Sequence, residues 1–177
     1  EALERKVASV CQRGVPNYFG EQRFGHQLAN LELADAILIR QKRIRDRHRR
    51  SLALSSARSW IFNKVLAHRV RDSTWDRRLV GEWCIGAGVP TGPLWGAGDS
   101  RCDGIPLALE RMCALEHADW LPGLDRLGLK LERRALISRP QNLTFEWVDD
   151  RLVIDFSLRR GEFATSVLRE IVDYRNA

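Results

Sequence analysis

At 177 residues, with 44% hydrophobic and 29% charged side chains, the chain can build one substantial core or two small domains. No apolar run approaches the roughly 20 residues of a membrane-spanning helix, and the opening Glu-Ala-Leu-Glu-Arg-Lys lacks a signal-peptide layout. A net charge of +6 favours a polyanionic partner. The chain begins at Glu1 and not at Met, so a longer parent chain is expected.

Leu3 to Gln12 reads as a helix, with Leu3, Val7, Val10 and Cys11 at helical spacing, stopped by Gly14 and Pro16. The run Gly14 to Gly25 follows, holding Tyr18, Phe19, Phe24, Asn17, Gln22 and Arg23 with almost no aliphatic side chain. Glycines allow turns and close approach, rings offer stacking faces, amides donate and accept, and arginine pairs with phosphate or carboxylate. That composition suits a shaped pocket; the plain alternative is a turn whose rings plug a core. Leu28 to Ile39 is a second helix. Arg40 to Arg50 carries seven Lys/Arg in eleven residues, opposed only by Asp46. Such a run gives salt-sensitive phosphate binding or a solvated helix face.

Ser51 to Arg71 is the clearest helix, with Leu54, Ala57, Ile61 and Val65 on one side. Residues 81 to 104 hold seven of the thirteen glycines and read as an irregular connection. Ile105 to Trp120 returns to helix. Leu124 to Leu136 is ambiguous, with Glu132 read as part of a helix end. From Leu143 the period becomes two, so residues 143 to 158 predict a hairpin turning at Asp149-Asp150. Gly161 to Ser166 then leads into a last helix through Val167, Leu168, Ile171 and Val172, with Thr165 or Ser166 as cap. Phe163 stands between strand end and helix start, where a ligand contact and a core anchor are equally expected.

Cys11, Cys84, Cys102 and Cys113 are not in zinc-ligand spacing, and free thiols in a reducing cytoplasm are expected. No dinucleotide, phosphate-loop, zinc-protease or nucleophile-elbow motif occurs, and nothing nominates a nucleophile.

The loop Gly14-Val15-Pro16-Asn17-Tyr18-Phe19-Gly20, continued by Gln22-Arg23-Phe24-Gly25, resembles the signature of the tRNA pseudouridine synthase D family. Ser51 to Asn63, Pro90 to Gly96, Glu132-Arg133-Arg134-Ala135-Leu136 and Phe163 to Glu170 follow in the family's order. The resemblance covers nearly the whole chain as the carboxy-terminal part of such a protein. It implies an isomerase that needs no cofactor and converts uridine 13 of tRNA to pseudouridine. It further implies a cytoplasmic monomer with tRNA as partner and no membrane association.

The fold implied is α+β: a pseudouridine synthase catalytic domain (residues 1–42 and 140–177) interrupted by an α/β insertion domain (43–139). Asn17 and Phe163 match the family's substrate-contacting Asn and Phe, and Phe19 matches a pocket aromatic. On this reading Phe19 and Phe163 sandwich a flipped uridine, and Asn17 reads its polar edge or holds the loop. Arg23, Arg43 and Arg58 are the expected contacts to the RNA backbone. The family's nucleophilic aspartate lies in a Gly-x-Lys-Asp motif upstream of the loop; here Gly128-Leu129-Lys130 is followed by Leu131, so that aspartate is expected outside this chain. Residues 80–92 are also shorter than in the family. Two other readings stay open: a noncatalytic RNA-binding fragment, and a protein-interaction domain with incidental charge.

Overall fold

A computed structural model describes residues 1–173; the last four residues of the expected 140–177 segment lie outside the described residues. Helix α1 (Ala2–Arg13) buries Val7 and Val10 and ends at Gly14, whose φ of 77° favours glycine. A Cβ at Gly14 would lie 2.5 Å from the Ser138 carbonyl oxygen. Strand β1 (Val15–Pro16) follows. Two short 3₁₀ turns then lead into α2 (Ala29–Leu38).

Helix α3 (Arg47–Arg71) begins one turn earlier than the apolar spacing predicts. Asp46 explains the difference: its carboxylate caps the helix by accepting from the Arg49 N–H at 3.0 Å. The basic run is thus split between a connecting loop and the first turn of α3.

The glycine-rich stretch is more ordered than its composition predicts. It contains β2 (Cys84–Ile85) and β3 (Val89–Leu94), which pair antiparallel around a three-residue turn, Ile85 opposite Val89. After α4 (Gly104–Leu115) and α5 (Leu121–Arg126), strand β4 (Glu132–Ala135) joins β3 antiparallel. Glu132 therefore starts a strand rather than ending a helix. Strand β5 (Ile137–Ser138) pairs with β1, Val15 opposite Ser138. The hairpin appears as β6 (Gln141–Val148) and β7 (Arg151–Ser157), with Asp149-Asp150 as its two-residue turn. Helix α6 (Ala164–Ile171) has Phe163 as its N-cap and no side-chain cap. Ser166 instead donates its hydroxyl to the Tyr18 carbonyl at 3.1 Å, tying α6 to the opening loop.

Two apolar clusters form. The larger joins Phe19, Phe24 and α2 to α3, Trp120, Leu124 and Leu136; the smaller joins α1, Val15, α6 and one face of the hairpin. The expected boundary after residue 42 thus falls in the α2–α3 connection, and those two helices share one core. The named strands all pair antiparallel, so residues 43–139 lack the parallel sheet that an α/β domain implies. The four cysteines are free. Among the described residues, no helix is long and apolar enough to cross a membrane.

Candidate nucleic-acid modification site

The opening loop is held by backbone and side-chain bonds before any ligand is considered. The Asn17 N–H donates to the Leu136 carbonyl at 2.8 Å, extending the β1–β5 pairing. Asn63, on α3, grips Phe19 at both ends: its Oδ1 accepts from the Phe19 N–H and its Nδ2 donates to the Phe19 carbonyl, each at 3.0 Å. This side-chain amide imitates a neighbouring strand. At Gly20 the chain passes so close to α6 that a Cβ would lie 3.0 Å from Thr165 Oγ1 and 3.4 Å from Phe163 Cδ1.

Asn17 is 3% exposed and its amide is engaged at both ends. Nδ2 donates to the Ala135 carbonyl at 2.9 Å, and Oδ1 accepts from Arg134 Nη2 at 2.6 Å. Of its two expected roles, this geometry suits holding the loop and not reading a base edge. Phe19 is buried, packed edge-to-face against Phe62 at 5.5 Å and Phe163 at 5.8 Å. Guanidinium carbons lie over it at 4.0 Å (Arg134) and 5.1 Å (Arg23). The Phe19–Phe163 interplanar angle is 65°, so no slot for a sandwiched base exists between these rings. The plain reading of Phe19 and Phe24 as core rings is realised, while Phe163 keeps part of its surface free.

The three expected backbone arginines divide. Arg58 is consumed internally, donating to the carbonyls of Trp95, Leu94 and Lys130 and pairing with Glu132 at 3.0 Å. It ties α3 to β3 and β4 through Nε and Nη2, an architectural role in place of the expected backbone contact. Arg23 has no carboxylate partner, and its Nε is buried without a hydrogen bond. Burial lowers its pKa. Arg43 is exposed and lines a cleft of about 550 Å³ with Lys42, Arg45, Arg47, Arg50 and Arg126. Arg126 comes from α5, where it reaches the Ile37 and Leu38 carbonyls at 3.4 and 3.3 Å, a partner that spacing along the chain does not reveal. Among the described residues, none of the seven cations of the run 40–50 sits within ion-pair distance of a carboxylate.

A second cavity of about 620 Å³ opens beside the loop, lined by Tyr18, Phe19, Gln22, Trp60, Asn63 and Arg169 among others. The Arg169 guanidinium carbon lies 5.0 Å from the Tyr18 ring centroid. Asn17, Arg134 and Phe163 stand outside its lining; cavity and aromatic cluster meet at Phe19. Sequence reading missed Asn63, Arg134 and Arg169 as site residues. The only signal for them was their presence inside motifs read for other members.

Comparison with known proteins points to one family. No family model matches the chain. A tRNA pseudouridine synthase D from Cellvibrio japonicus is 44% identical across 99% of this chain and 52% of the relative. Proteins of the same name from Methylococcus capsulatus and Hydrogenovibrio crunogenus are 39% and 36% identical across 98% and 99% of the chain. Along nearly its whole length the chain is similar to tRNA pseudouridine synthase D. It spans about half the length of these relatives, between 52% and 57%. A solved tRNA pseudouridine synthase D structure from Methanosarcina mazei shares the fold. Its TM-score is 0.66 at 18% identity, over 96% of this chain and 63% of that one. Within this synthase D framework, the loop that carried the resemblance is the one that Asn63, Arg134 and Ser166 hold in place.

Proposed function

We propose that this chain is the carboxy-terminal part of a tRNA pseudouridine synthase acting at uridine 13 of cytoplasmic tRNA as a monomer. The observation that carries the reading is the 44% identity across 99% of the chain, joined to a pre-built aromatic and arginine cluster at the family's loop. Residues 1–42 and 140–173 supply part of the catalytic domain and 43–139 the insertion domain, with α2 packed into the latter's core. The nucleophilic aspartate comes from the part of the relatives that this chain does not span, so the chain alone makes no product.

In this reading the flipped uridine stacks on Phe163, the ring with free surface, while buried Phe19 forms the floor and Asn17 holds the loop in register. Flipping costs a few kcal/mol, and stacking on an aromatic ring returns about 1–3 kcal/mol. Arg23 and the cleft around Arg43 hold backbone phosphates, which sets position and not sequence. Support for the cleft comes from helix electrostatics. Arg47, Arg49 and Arg50 occupy the first turn of α3, where the macrodipole disfavours cations by a few tenths of a kcal/mol, roughly. A bound phosphate offsets that cost.

The test is to incubate the full-length protein with unmodified tRNA and map pseudouridine by mass spectrometry. Product at position 13, abolished in a tRNA with cytidine there, is expected. No product from a folded, full-length protein overturns the reading.

A further inference from the structure

Arg133 and Arg134 are neighbours on β4, and strand alternation sends them to opposite faces. Arg133 ends on a carboxylate: Glu110 accepts at 2.7 and 2.9 Å, with Thr91 and Cys102 completing its shell. Among the described residues Arg134 forms no ion pair, and Glu162 acts on it only from beyond that distance. Its Nη1 donates to the Gly161 carbonyl at 2.8 Å, and its Nη2 donates to Asn17 Oδ1 at 2.6 Å and to the Asn17 carbonyl at 3.3 Å. Its guanidinium Cζ lies over Phe19, 4.0 Å from the ring centroid, and 5.5 Å from that of Phe62. Nε is buried and unpartnered.

These contacts join two segments that are more than a hundred residues apart. One is the opening loop with Asn17 and Phe19; the other is the turn two residues before Phe163. No other side chain in the hydrogen-bond network of the described residues touches both Asn17 and Gly161. We propose that Arg134 is a positioning residue that clamps the Asn17–Phe19 loop to the Phe163 turn and so fixes the distance between the two walls of the uridine site. The proposal rests on the pseudouridine synthase reading above.

Only a planar, forked cation can do this. One arm must reach a backbone carbonyl on the Phe163 side while the other meets a side-chain amide on the loop side, with the plane stacked on a ring. A lysine offers one point charge and can satisfy one wall at a time. Burial with only neutral acceptors lowers Arg134 to about 10, which still leaves it charged at neutral pH. The charge is held where an ion pair would have been the ordinary arrangement. Carbonyls and an amide supply its hydrogen bonds, while the Glu162 carboxylate acts on it from beyond ion-pair distance.

The experiment uses the full-length enzyme with Arg134→Lys, Arg134→Gln and, as a control on the same strand, Arg133→Lys. Misplacement of a wall by about 1 Å is expected to lower kcat of Arg134→Lys on the order of 100-fold. KM for tRNA should stay within about twofold, because phosphate contacts elsewhere are intact. Arg133→Lys should lower Tm and leave kcat of the folded protein unchanged. Amide hydrogen exchange supplies a readout independent of turnover. In Arg134→Lys, residues 15–20 and 160–167 should both exchange about 10-fold faster, with the middle of α3 unchanged. If Arg134→Lys keeps wild-type kcat while Arg134→Gln does not, the role is charge alone and the clamp is overturned. If only one of the two segments loosens, or neither, the clamp is overturned as well. A wild-type enzyme that makes no pseudouridine sinks the functional reading instead, and the exchange result still decides the clamp.

Discussion

Two regions of this protein handle positive charge in opposite ways. On one side of the β2–β3–β4 sheet, two buried arginines meet carboxylates: Arg69 pairs with Glu82 at 2.6 Å and Arg133 with Glu110 at 2.7 Å, all four side chains at most 10% exposed. Around the opening loop and the α2–α3 connection, Arg23, Arg134 and the cations of the run 40–50 form no ion pair among the described residues, and Glu162 acts on Arg134 only at longer range. Burying an arginine is costly, and a carboxylate is the usual compensation. Where the fold supplies one, the arginine belongs to the architecture. Where it forms no ion pair, the positive charge stays open to an anionic ligand.

The strongest way to break the comparison is to remove a carboxylate from the first region. In Glu82→Gln, Arg69 keeps its bonds to the Thr74 and Arg77 carbonyls but is left without its counter-charge in a buried site. A loss of about 3–5 kcal/mol in unfolding free energy is expected. Chemical denaturation of the full-length protein measures it. Specific activity of the fraction that stays folded should be unchanged. A drop in activity without a drop in stability would mean that the paired arginines are not purely architectural.

Phe163→Ala probes the second region and should do the reverse. The ring is half-buried at the margin of the larger apolar cluster, so the loss of stability is expected to be smaller than the loss of turnover. Loss of a stacking face worth about 1–3 kcal/mol lowers kcat/KM by roughly 10- to 100-fold. Steady-state kinetics beside thermal melting separates the two effects. Equal losses of turnover and stability would make Phe163 a core anchor.

The sequence foretold the elements with a clean period and missed those made by tertiary context. Periodicity located α1, α2, most of α3 and the hairpin, because their apolar residues recur at the spacing of one buried face. It did not find β3, where Pro90, Gly92 and Pro93 disguise a strand whose six residues pack between β2, β4 and α3. The loop around Asn17 was legible as a candidate site from its composition. Its scaffold was not, since Asn63 and Arg134 lie 44 and 117 positions away from the residues they hold. Arg58 misled for the same reason. A lone arginine on a helix looks like a free cation until three carbonyls and Glu132 close around it.

That contrast gives a smaller, sharper test. Exchanging Arg43 and Arg45 together for glutamine should leave the melting temperature unchanged, because neither has an internal partner. Binding of tRNA to the full-length protein should weaken. The slope of log K against log salt should fall by about 1.4 to 1.8, since each phosphate no longer neutralised removes roughly 0.7–0.9. Arg58→Gln should lower the melting temperature and leave the salt slope alone. If Arg58→Gln shifts the slope and the Arg43/Arg45 pair does not, the assignment of cations by their partners is wrong.

The smallest expected effect concerns a group that stays outside both classes by remaining neutral. His117 stacks on Trp120 at 4.3 Å, with Nε2 buried and unpartnered. Burial lowers its pKa, and the Lys64 cation adds to that; Glu116 and Asp35 oppose it. Glu116 already pairs with Lys64 at 3.0 Å, so a protonated His117 would be a second cation beside an occupied carboxylate. Because the folded form holds the histidine below its unfolded pKa of roughly 6.5, its contribution is fully present above that value. It is lost as pH falls through the folded pKa. Melting temperature should therefore drop between pH 7 and pH 5, and His117→Phe, which keeps the stack and cannot protonate, should drop less. Identical pH dependence in the two proteins would show that Glu116 and Asp35 neutralise the imidazolium after all, placing it with the paired cations of the first region.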